Sequence, residues 1–323
     1  MQKQYSQAIN EGLDQAMALD DNVVLMGQLV DCIPGIFGTT IGLVEKYGKD
    51  RVQDFPISEN LMTFAALGAS LTGVRPVIVH QRLDFMIYSL DAIVNWMSLW
   101  YFKSNRESSV PVTIRAIVGK GWGQGPQHSK SLHAWFGHLP GLQVAVPSTA
   151  HDVKGLLLES IFGENPSIII EHRSLFSMSD DVPETPYRVK FGQALVRERG
   201  TDATVVAIGG MVPVALQAAA ALRPEGISVE VVDLRTISPM DTATVLESVA
   251  KTGRLVVLDL DWKAIGVASE IITLVCEEMM EKLKARPARV CLPDSHTPMS
   301  SALEEAYYPD ADRVIAEIRR VLG

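Results

Sequence analysis

The sequence predicts an α/β protein with two parallel-sheet domains, and three observations support this prediction. The chain has 323 residues, which is more than one average domain contains. Short apolar runs alternate with stretches of helical periodicity along most of the chain, and such alternation favours parallel strands covered by helices on both faces. The alternation stops at residues 178–190 and then restarts, which places a domain boundary there.

The first domain is predicted over residues 1–178. Its apolar runs, interpreted as strands, lie at 23–26, 51–54, 76–80, 110–118, 142–149 and 166–172. Its helical stretches lie at 5–18, 61–73, 84–103 and 151–162, with Ser58 as the N-cap of the second. Four glycines within residues 119–125 exclude a regular element, so the segment 119–131 is predicted to be a long functional loop.

A linker is predicted at residues 179–190 and a second domain at residues 191–323. The segment MSDDVPETPYRVK has two prolines, three acidic residues and little periodicity. After it, the runs ATVVAIGG, ISVEVVDL and RLVVLDL predict three strands, each followed by a helix. The turn IGGM at 208–211 lacks the GxGxxG spacing of a dinucleotide site, so an ordinary strand-to-helix turn is the preferred interpretation.

Composition and charge narrow the class of protein. Hydrophobic residues make up 47% of the chain, charged residues 21%, and the net charge is -9, which favours a globular protein with a large core and argues against a broad nucleic-acid surface. Cys32, Cys276 and Cys291 are far apart and form no CxxC pair, so a cytoplasmic, reducing environment is expected. Neither a signal-peptide core nor a membrane-spanning apolar run is present in the sequence.

Glu59 is the first candidate for chemistry. It stands at the start of an apolar helix after a strand and Pro56, where the helix dipole favours its ionised form. A lone acid in this position most often serves only the helix terminus, but here the surrounding segment is informative. The segment RVQDFPISEN resembles the R-x-x-D-T-P-I-S-E of the beta subunits of thiamine diphosphate-dependent 2-oxoacid dehydrogenases, the E1 components.

The resemblance continues through nearly the whole chain. GVRPVIVHQRLDF is similar to the family's G-x-R-P-V-x-E-x-Q-F-x-D-F, and GPQHSKSLHAWFGHLPGLQVAVPST is similar to its G-x-Q-H-S-Q-S-x-x-A-W-F-x-H-x-P-G-L-x-V-V-x-P-S. In the second domain, VVDLRTISPMD resembles V-I-D-L-R-T-x-x-P-x-D, and PDSHTPMS resembles P-D-x-P-x-P. The resemblance implies a transketolase-like pyrimidine-binding domain followed by a transketolase C-terminal domain.

The resemblance also implies roles for four residues. In the family, the acid matching Glu59 hydrogen-bonds N1′ of the cofactor's aminopyrimidine and stabilises the tautomer that accepts the C2 proton. Phe85 is placed against the pyrimidine ring and Gln81 among the cofactor-binding residues, although Phe85 alone would as readily be a core aromatic. His128 matches the histidine of Q-H-S, which faces the substrate and takes part in proton handling and acyl transfer. An isolated loop histidine is otherwise usually a solvated surface group.

Two further histidines, His133 and His138, follow His128 at intervals of five residues. Histidines are common metal ligands, so this spacing raises the question of a metal site. No carboxylate or cysteine stands at a matching spacing, so the sequence does not predict one here.

The diphosphate half of the expected site has no counterpart in the sequence. Related enzymes anchor thiamine diphosphate through Mg²⁺, held by a G-D-G motif and a later asparagine, and no GDG occurs in this chain. An ionised diphosphate requires such neutralisation. The resemblance therefore implies an E1 alpha-type subunit that carries Mg²⁺, with an α2β2 heterotetramer as the expected assembly.

Several positions depart from the family pattern. Gln28 replaces an acid of G-E-D-V, Val79 and His80 stand where E-I is usual, and Arg82 replaces the Phe of Q-F. Two interpretations of Arg82 stay open: it pairs with a carboxylate of substrate or partner, or it lies at an interface. In the stretch SIFGENPS the family often holds K⁺ through backbone carbonyls, and the matching residues are Ser160, Ile161, Gly163 and Asn165.

The leading hypothesis is an E1 beta subunit that is active only with an alpha subunit. With it, the chain would decarboxylate a 2-oxoacid oxidatively and pass the acyl group to the lipoyl group of an E2 protein. One alternative is half of a split transketolase-like or acyloin-forming enzyme, which passes its carbon unit to an aldehyde. Another is a non-catalytic subunit that keeps only the fold, against which the joint retention of Glu59, Phe85 and His128 argues.

Overall fold

The computed structural model of the chain describes residues 1–121 and 123–323. Contacts divide them into two compact units. The first consists of Met1–Gly119 and Trp135–Phe191, and the second consists of Lys120–Ala134 and Gly192–Gly323. The segment Lys120–Ala134, which contains His128, therefore belongs by its contacts to the second unit.

The first unit contains eight strands among its described residues. They are β1 (Gln2–Gln4), β2 (Val23–Gly27), β3 (Val52–Asp54), β4 (Arg75–His80), β5 (Thr113–Val118), β6 (Gln143–Ala145), β7 (Ser167–His172) and β8 (Ser179–Asp181). Strands β2 to β7 are parallel and lie in the order β6-β7-β5-β4-β2-β3. β1 and β8 form a separate antiparallel pair. The predicted parallel sheet is thus confirmed.

Helices alternate with these strands along the first part of the chain. They are α1 (Tyr5–Leu19), α2 (Gly35–Gly38), α3 (Leu43–Tyr47), α4 (Glu59–Ser70), α5 (Leu83–Met86), α6 (Leu90–Ala92), α7 (Ser98–Lys103), α8 (His133–Gly137) and α9 (Ala150–Ile161). Tyr5, Ile9 and Leu13 of α1 are fully buried, and they belong to the same apolar cluster as Leu156 and Leu157 of α9. This face of the sheet is therefore covered by two helices whose apolar residues recur at helical spacing.

The second unit contains a five-stranded sheet. The remaining strands of the chain are β9 (Leu195–Glu198), β10 (Ala203–Ala207), β11 (Val229–Asp233), β12 (Thr236–Ser238), β13 (Leu255–Trp262) and β14 (Ala288–Leu292). The sheet has the order β14-β13-β10-β11-β9. All its pairs are parallel except that of β9 with β11. β9 is an antiparallel edge strand that the apolar pattern did not predict, because none of its four positions is fully buried.

The helices of the second unit cover its sheet. They are α10 (Val212–Leu222), α11 (Thr242–Thr252), α12 (Val267–Met279), α13 (Ser301–Tyr307) and α14 (Ala311–Leu322). Ala215 and Leu222 of α10 and Val314 and Ile318 of α14 are buried in one apolar cluster with the sheet. Among the described residues, no helix of the chain is both long and apolar enough to cross a bilayer.

The predicted helix 84–103 is the clearest local difference from the sequence prediction. The chain there remains helical, but it passes through α5, a 3₁₀ turn at Ile87–Ser89, α6, a π turn at Ile93–Met97 and then α7. Apolar periodicity reports which side of a segment is buried and does not distinguish these closely related hydrogen-bond patterns. The broken helix contains Phe85 and follows closely on β4 and Gln81.

Candidate active site

Three neighbouring strands of the first unit deliver the predicted site residues to one edge of its sheet. β4, β2 and β3 are adjacent and parallel, so their carboxyl ends meet at the same edge. Gln28 follows β2, Glu59 lies five residues beyond β3, and Gln81 follows β4. The crevice outside the carboxyl ends of parallel strands is the usual ligand position in open α/β sheets.

Hydrogen bonds join the segments that follow these strands. The Gln81 side-chain amide donates to the backbone carbonyl of Gln28 at 3.1 Å, and the Gln28 side-chain amide reaches the carbonyl of Pro56 at 3.5 Å. The backbone N–H of Phe55 donates to the carbonyl of Gly27 at 2.8 Å. Gln81 and Gln28 thereby connect the segments that follow β4, β2 and β3.

Glu59 is the first residue of α4, and Ser58 occupies the predicted N-cap position without a side-chain capping bond. The Thr63 hydroxyl donates to the backbone carbonyl of Glu59 at 2.8 Å and shares a second hydrogen bond of 2.8 Å with the Ser89 hydroxyl. This pair ties the start of α4 to the segment that follows Phe85. Glu59 is half-buried, and none of the described residues forms a hydrogen bond or ion pair with its carboxylate. The carboxylate is thus positioned at a helix N-terminus and available to a ligand.

Phe85 lies in α5, between buried neighbours. Leu83 and Met86 are fully buried, whereas Phe85 is only partly buried. An aromatic ring that stays partly accessible in an otherwise buried turn offers a flat apolar surface to a heterocycle. Glu59, Gln81 and Phe85 therefore all lie in the first unit, near the carboxyl ends of adjacent strands.

His128 lies in the second unit, directly after a 3₁₀ turn at Gly125–Gln127. Its Nδ1 is 3.1 Å from the backbone carbonyl of Gln124, a contact that favours a proton on Nδ1. The start of the segment is anchored in the same unit, because the N–H of Gly121 donates to the Glu304 carboxylate at 2.6 Å. The predicted loop 119–131 contains this one short turn among its described residues, and Trp122 lies outside them.

Arg82, one of the departures from the family pattern, is turned inward. Its guanidinium lies 4.8 Å from the centre of the Phe37 ring and donates to the carbonyl of Gln81 at 2.6 Å. Arg173 approaches the same ring at 4.9 Å. Burial, with the nearby positive charge of Arg173, lowers the pKa of Arg82 from its usual range. Arg82 therefore stacks on Phe37 and positions the backbone of a predicted cofactor-binding residue.

His80, the adjacent departure, is completely buried at the end of β4. Neither of its ring nitrogens has a hydrogen-bond partner among the described residues. Burial disfavours the charged imidazole and lowers the pKa of His80 from 6.5 to about 3. The folded protein therefore holds this histidine neutral at all but strongly acidic pH.

His80 should make the protein acid-sensitive. The unfolded chain binds a proton at this histidine below about pH 6.5, whereas the folded chain does so only near pH 3, so stability falls as the pH is lowered between these values. Between pH 7 and pH 5 the expected loss is about 2 kcal/mol, measurable by urea unfolding. His80→Leu should remove this part of the pH dependence, and His138→Leu, which replaces an exposed histidine, should not. An unchanged pH profile in His80→Leu would contradict the assignment.

The carbonyls predicted to bind K⁺ already accept hydrogen bonds. The Arg75 guanidinium donates to the Ile161 carbonyl at 3.2 Å and to the Gly163 carbonyl at 2.8 Å, and the Ser167 hydroxyl donates to the Asn165 carbonyl at 3.1 Å. The N–H of Gly163 donates to the Ser160 carbonyl at 3.2 Å. A potassium ion here would use the second lone pairs of these oxygens and would lie beside a guanidinium. The potassium site stays a prediction.

One polar cluster was not predicted from the sequence. The described residues contain one group of three or more histidine, cysteine or carboxylate side chains close enough to hold a metal ion: His133, Asp259 and Asp261, all buried. Burial opposes charge on the imidazole, yet the carboxylates of Asp259 and, to a smaller extent, Asp261 outweigh this effect and raise the pKa of His133 to about 9. The two aspartates lie more than 120 residues beyond the histidine, so spacing alone could not reveal them. The available signal was the pair of acids within the apolar strand LVVLDLDW.

Comparisons with known proteins extend over nearly the whole chain. A family model described as transketolase, pyrimidine binding domain, matches residues 1–178, and one described as transketolase, C-terminal domain, matches residues 192–314. The acetoin:2,6-dichlorophenolindophenol oxidoreductase subunit beta of Cupriavidus necator is 40% identical over 325 residues, which cover 98% of this chain and 96% of that protein. The pyruvate dehydrogenase E1 component subunit beta of Bacillus subtilis is 37% identical over 317 residues, covering 98% and 97%.

A solved structure shares the fold. It is a split-gene transketolase, described as an inactive beta4 tetramer, and it matches with a TM-score of 0.78 at 24% sequence identity. The match covers 98% of this chain and 97% of that chain. The predicted transketolase-like fold is therefore confirmed.

Proposed function

We propose that the chain supplies the pyrimidine end of a thiamine diphosphate site shared with an alpha-type subunit. The chain belongs to the family of E1 beta subunits of thiamine diphosphate-dependent 2-oxoacid dehydrogenases. The observation that carries this proposal is the position of Glu59, Gln81 and Phe85 near one edge of the sheet, with a Glu59 carboxylate to which no described residue is bonded. Bound thiamine diphosphate would supply the carbon nucleophile that attacks a carbonyl carbon.

The residues present suit an aminopyrimidine. Glu59 would hold a proton at N1′, because a half-buried carboxylate at a helix N-terminus can both accept and return a proton at a ring nitrogen. The partly buried Phe85 would pack against the ring. Gln81 would act through the backbone, since its side-chain amide holds the Gln28 carbonyl at 3.1 Å. These side chains leave the diphosphate unaccounted for.

An alpha-type subunit is proposed because no residue described so far would bind the diphosphate. The sequence contains no G-D-G motif, and the one candidate metal cluster among the described residues, His133 with Asp259 and Asp261, is buried. A diphosphate binds Mg²⁺ through its own oxygens together with one or two carboxylates and waters. We therefore assign Mg²⁺ and the diphosphate to the alpha-type subunit and expect an α2β2 heterotetramer.

The proposed reaction is the oxidative cleavage of a carbon–carbon bond beside a carbonyl, with the acyl group passed to a lipoyl group of an E2 protein. The substrate class is a 2-oxoacid, supported by a relative named as a pyruvate dehydrogenase subunit, or acetoin, supported by a relative named as an acetoin oxidoreductase subunit. His128 would face the substrate and move a proton during acyl transfer.

Reconstitution tests this function. The chain should be produced alone and together with an alpha-type subunit of the same organism, and each sample assayed with pyruvate, branched 2-oxoacids and acetoin, using 2,6-dichlorophenolindophenol as electron acceptor. We expect turnover only from the complex, and acylation of an added lipoyl domain. Condensation of the carbon unit with an aldehyde in place of lipoyl acylation would favour the split transketolase-like alternative. A complex that binds the cofactor but turns over no substrate would favour the non-catalytic one.

Three further assignments are proposed. We propose domain bounds of 1–178 and 191–323, with a linker at 179–190; the family models, which match residues 1–178 and 192–314, support this division. We propose a cytoplasmic location, which the separated, unpaired cysteines support. A potassium ion at residues 160–165 would be supported by a rise in melting temperature with KCl that NaCl at equal ionic strength does not reproduce.

A further inference from the structure

The His133 cluster, defined as His133, Asp259 and Asp261, has the geometry of a metal site. His133 Nε2 lies 2.9 Å from Asp259 Oδ1 and 4.0 Å from Asp261 Oδ2, and the three potential ligand atoms lie within 4.8 Å of one another. An ion bound at about 2.0–2.2 Å from each ligand separates ligand atoms by about 3–4 Å. Small side-chain movements would therefore bring all three atoms onto one ion.

The cluster is buried within the second unit. His133 and Asp259 are fully buried and Asp261 is 6% exposed. Asp259 and Asp261 are alternate residues of β13 and therefore point to the same face of the strand. His133 belongs to the segment Lys120–Ala134, which packs in the same unit.

The polar atoms of the cluster lack the partners that burial normally requires. The contact of 2.9 Å between His133 Nε2 and Asp259 Oδ1 is an ion pair when His133 is protonated, but neither atom, nor Asp259 Oδ2, has a partner of good hydrogen-bond geometry among the described residues. Leaving a buried carboxylate without hydrogen bonds is strongly unfavourable. An ion between these atoms would satisfy both groups at once.

Neighbouring hydrogen bonds orient the ligands. The Ser131 hydroxyl lies 3.1 Å from His133 Nδ1, so Nδ1–H can donate to Ser131. Nε2 faces the carboxylates and would give up its proton to the solvent when an ion binds. The backbone N–H of Trp262 donates to Asp261 Oδ1 at 2.7 Å, which leaves Oδ2 for the ion. Metal-binding histidines almost always have such a partner on the second ring nitrogen.

We propose that His133, Asp259 and Asp261 bind one divalent transition-metal ion, with Zn²⁺ as the best match. One imidazole and two carboxylates suit Zn²⁺, whereas Mg²⁺ and Ca²⁺ prefer oxygen ligands and higher coordination numbers. The ion would join the segment that contains His128 to β13. The proposal does not rest on the proposed catalytic function.

Metal binding to the full chain tests the proposal. The protein should be stripped with a chelator and dialysed, and then titrated with Zn²⁺ by calorimetry and with Co²⁺ by visible absorption. We expect one tightly bound equivalent per chain, a Co²⁺ d–d absorption band typical of low coordination number, and a melting temperature that rises with Zn²⁺. Absence of stoichiometric uptake by the wild-type chain would overturn the proposal.

Variants identify the ligands. His133→Ala and Asp259→Asn should weaken Zn²⁺ binding at least about 100-fold. Ser131→Ala should weaken it about tenfold, as is typical for a residue that hydrogen-bonds to a metal ligand without touching the metal. His138→Ala removes an exposed histidine five residues from His133 and should bind Zn²⁺ like the wild type. This control tests whether Zn²⁺ binds to a surface histidine. Equal affinity in His133→Ala, Asp259→Asn and the wild type would show an adventitious ion and contradict the proposal. Should a ligand variant fail to fold, the Co²⁺ spectrum of the wild type still decides.

Discussion

Glu59→Gln is expected to lower the turnover of the complex with an alpha-type subunit by about 10²–10⁴-fold, the range typical of a lost acid–base group. The amide cannot exchange a proton with a ring nitrogen, yet it has nearly the same shape and hydrogen-bonding reach. The fold should therefore be unchanged, because no described residue is hydrogen-bonded to the carboxylate. The measurement is steady-state turnover of purified complexes, accompanied by circular dichroism and melting curves.

A matched control separates catalysis from helix stabilisation. Glu45 is likewise an acid in the first turn of a helix, α3, and it is exposed. Glu45→Gln removes a comparable interaction with a helix dipole and should leave turnover within about twofold. Near-normal activity in Glu59→Gln, or an equal loss in both variants, would refute the role assigned to Glu59.

The second large effect is expected from a buried ion pair in the first unit. Arg115 of β5 donates two hydrogen bonds, of 2.6 and 2.9 Å, to the carboxylate of Glu171 in β7, and both side chains are 0% exposed. Arg115→Met would leave the carboxylate buried and uncompensated. We expect a loss of about 3–5 kcal/mol in the free energy of unfolding, measured by urea denaturation.

Two further variants make this result interpretable. The double variant Arg115→Met/Glu171→Met removes both charges and should recover much of the loss, because the penalty comes from the unpaired charge. Arg319→Met breaks an ion pair with Glu225 whose side chains are 54% and 46% exposed, and should cost less than about 1 kcal/mol. If Arg115→Met also lost less than about 1 kcal/mol in the free energy of unfolding, the carboxylate of Glu171 would have to be solvated by water or by a rearrangement of its neighbours.

Those parts of the fold that depend on local pattern were predictable. Runs such as VVLM and VIVH are apolar because their strands are buried on both faces, and they became β2 and β4. Edge strand β9 was missed because an edge position needs no continuous apolar run. The helix expected at 84–103 was predicted in position but not in its α, 3₁₀ and π composition, which depends on packing against neighbouring elements.

The site was predictable only in part, for a similar reason. Glu59, Gln81 and Phe85 stand in long ordered motifs, and parallel topology then places them near one edge. The inward position of Arg82 against Phe37 could not be deduced, because both candidate roles assumed an outward side chain. Likewise, the aspartates that face His133 come from a strand distant in sequence, and proximity of that kind is a property of the tertiary structure alone.

Thiamine diphosphate binding by the chain alone and by its complex with an alpha-type subunit tests the central claim most directly. The chain holds groups for the pyrimidine and none assigned to the diphosphate, so calorimetry in the presence of Mg²⁺ should detect no stoichiometric binding to the chain alone. The complex should bind one equivalent per αβ pair, and Glu59→Gln should weaken this binding or abolish the turnover that accompanies it. Tight, Mg²⁺-dependent, stoichiometric binding by the chain alone would contradict the shared site.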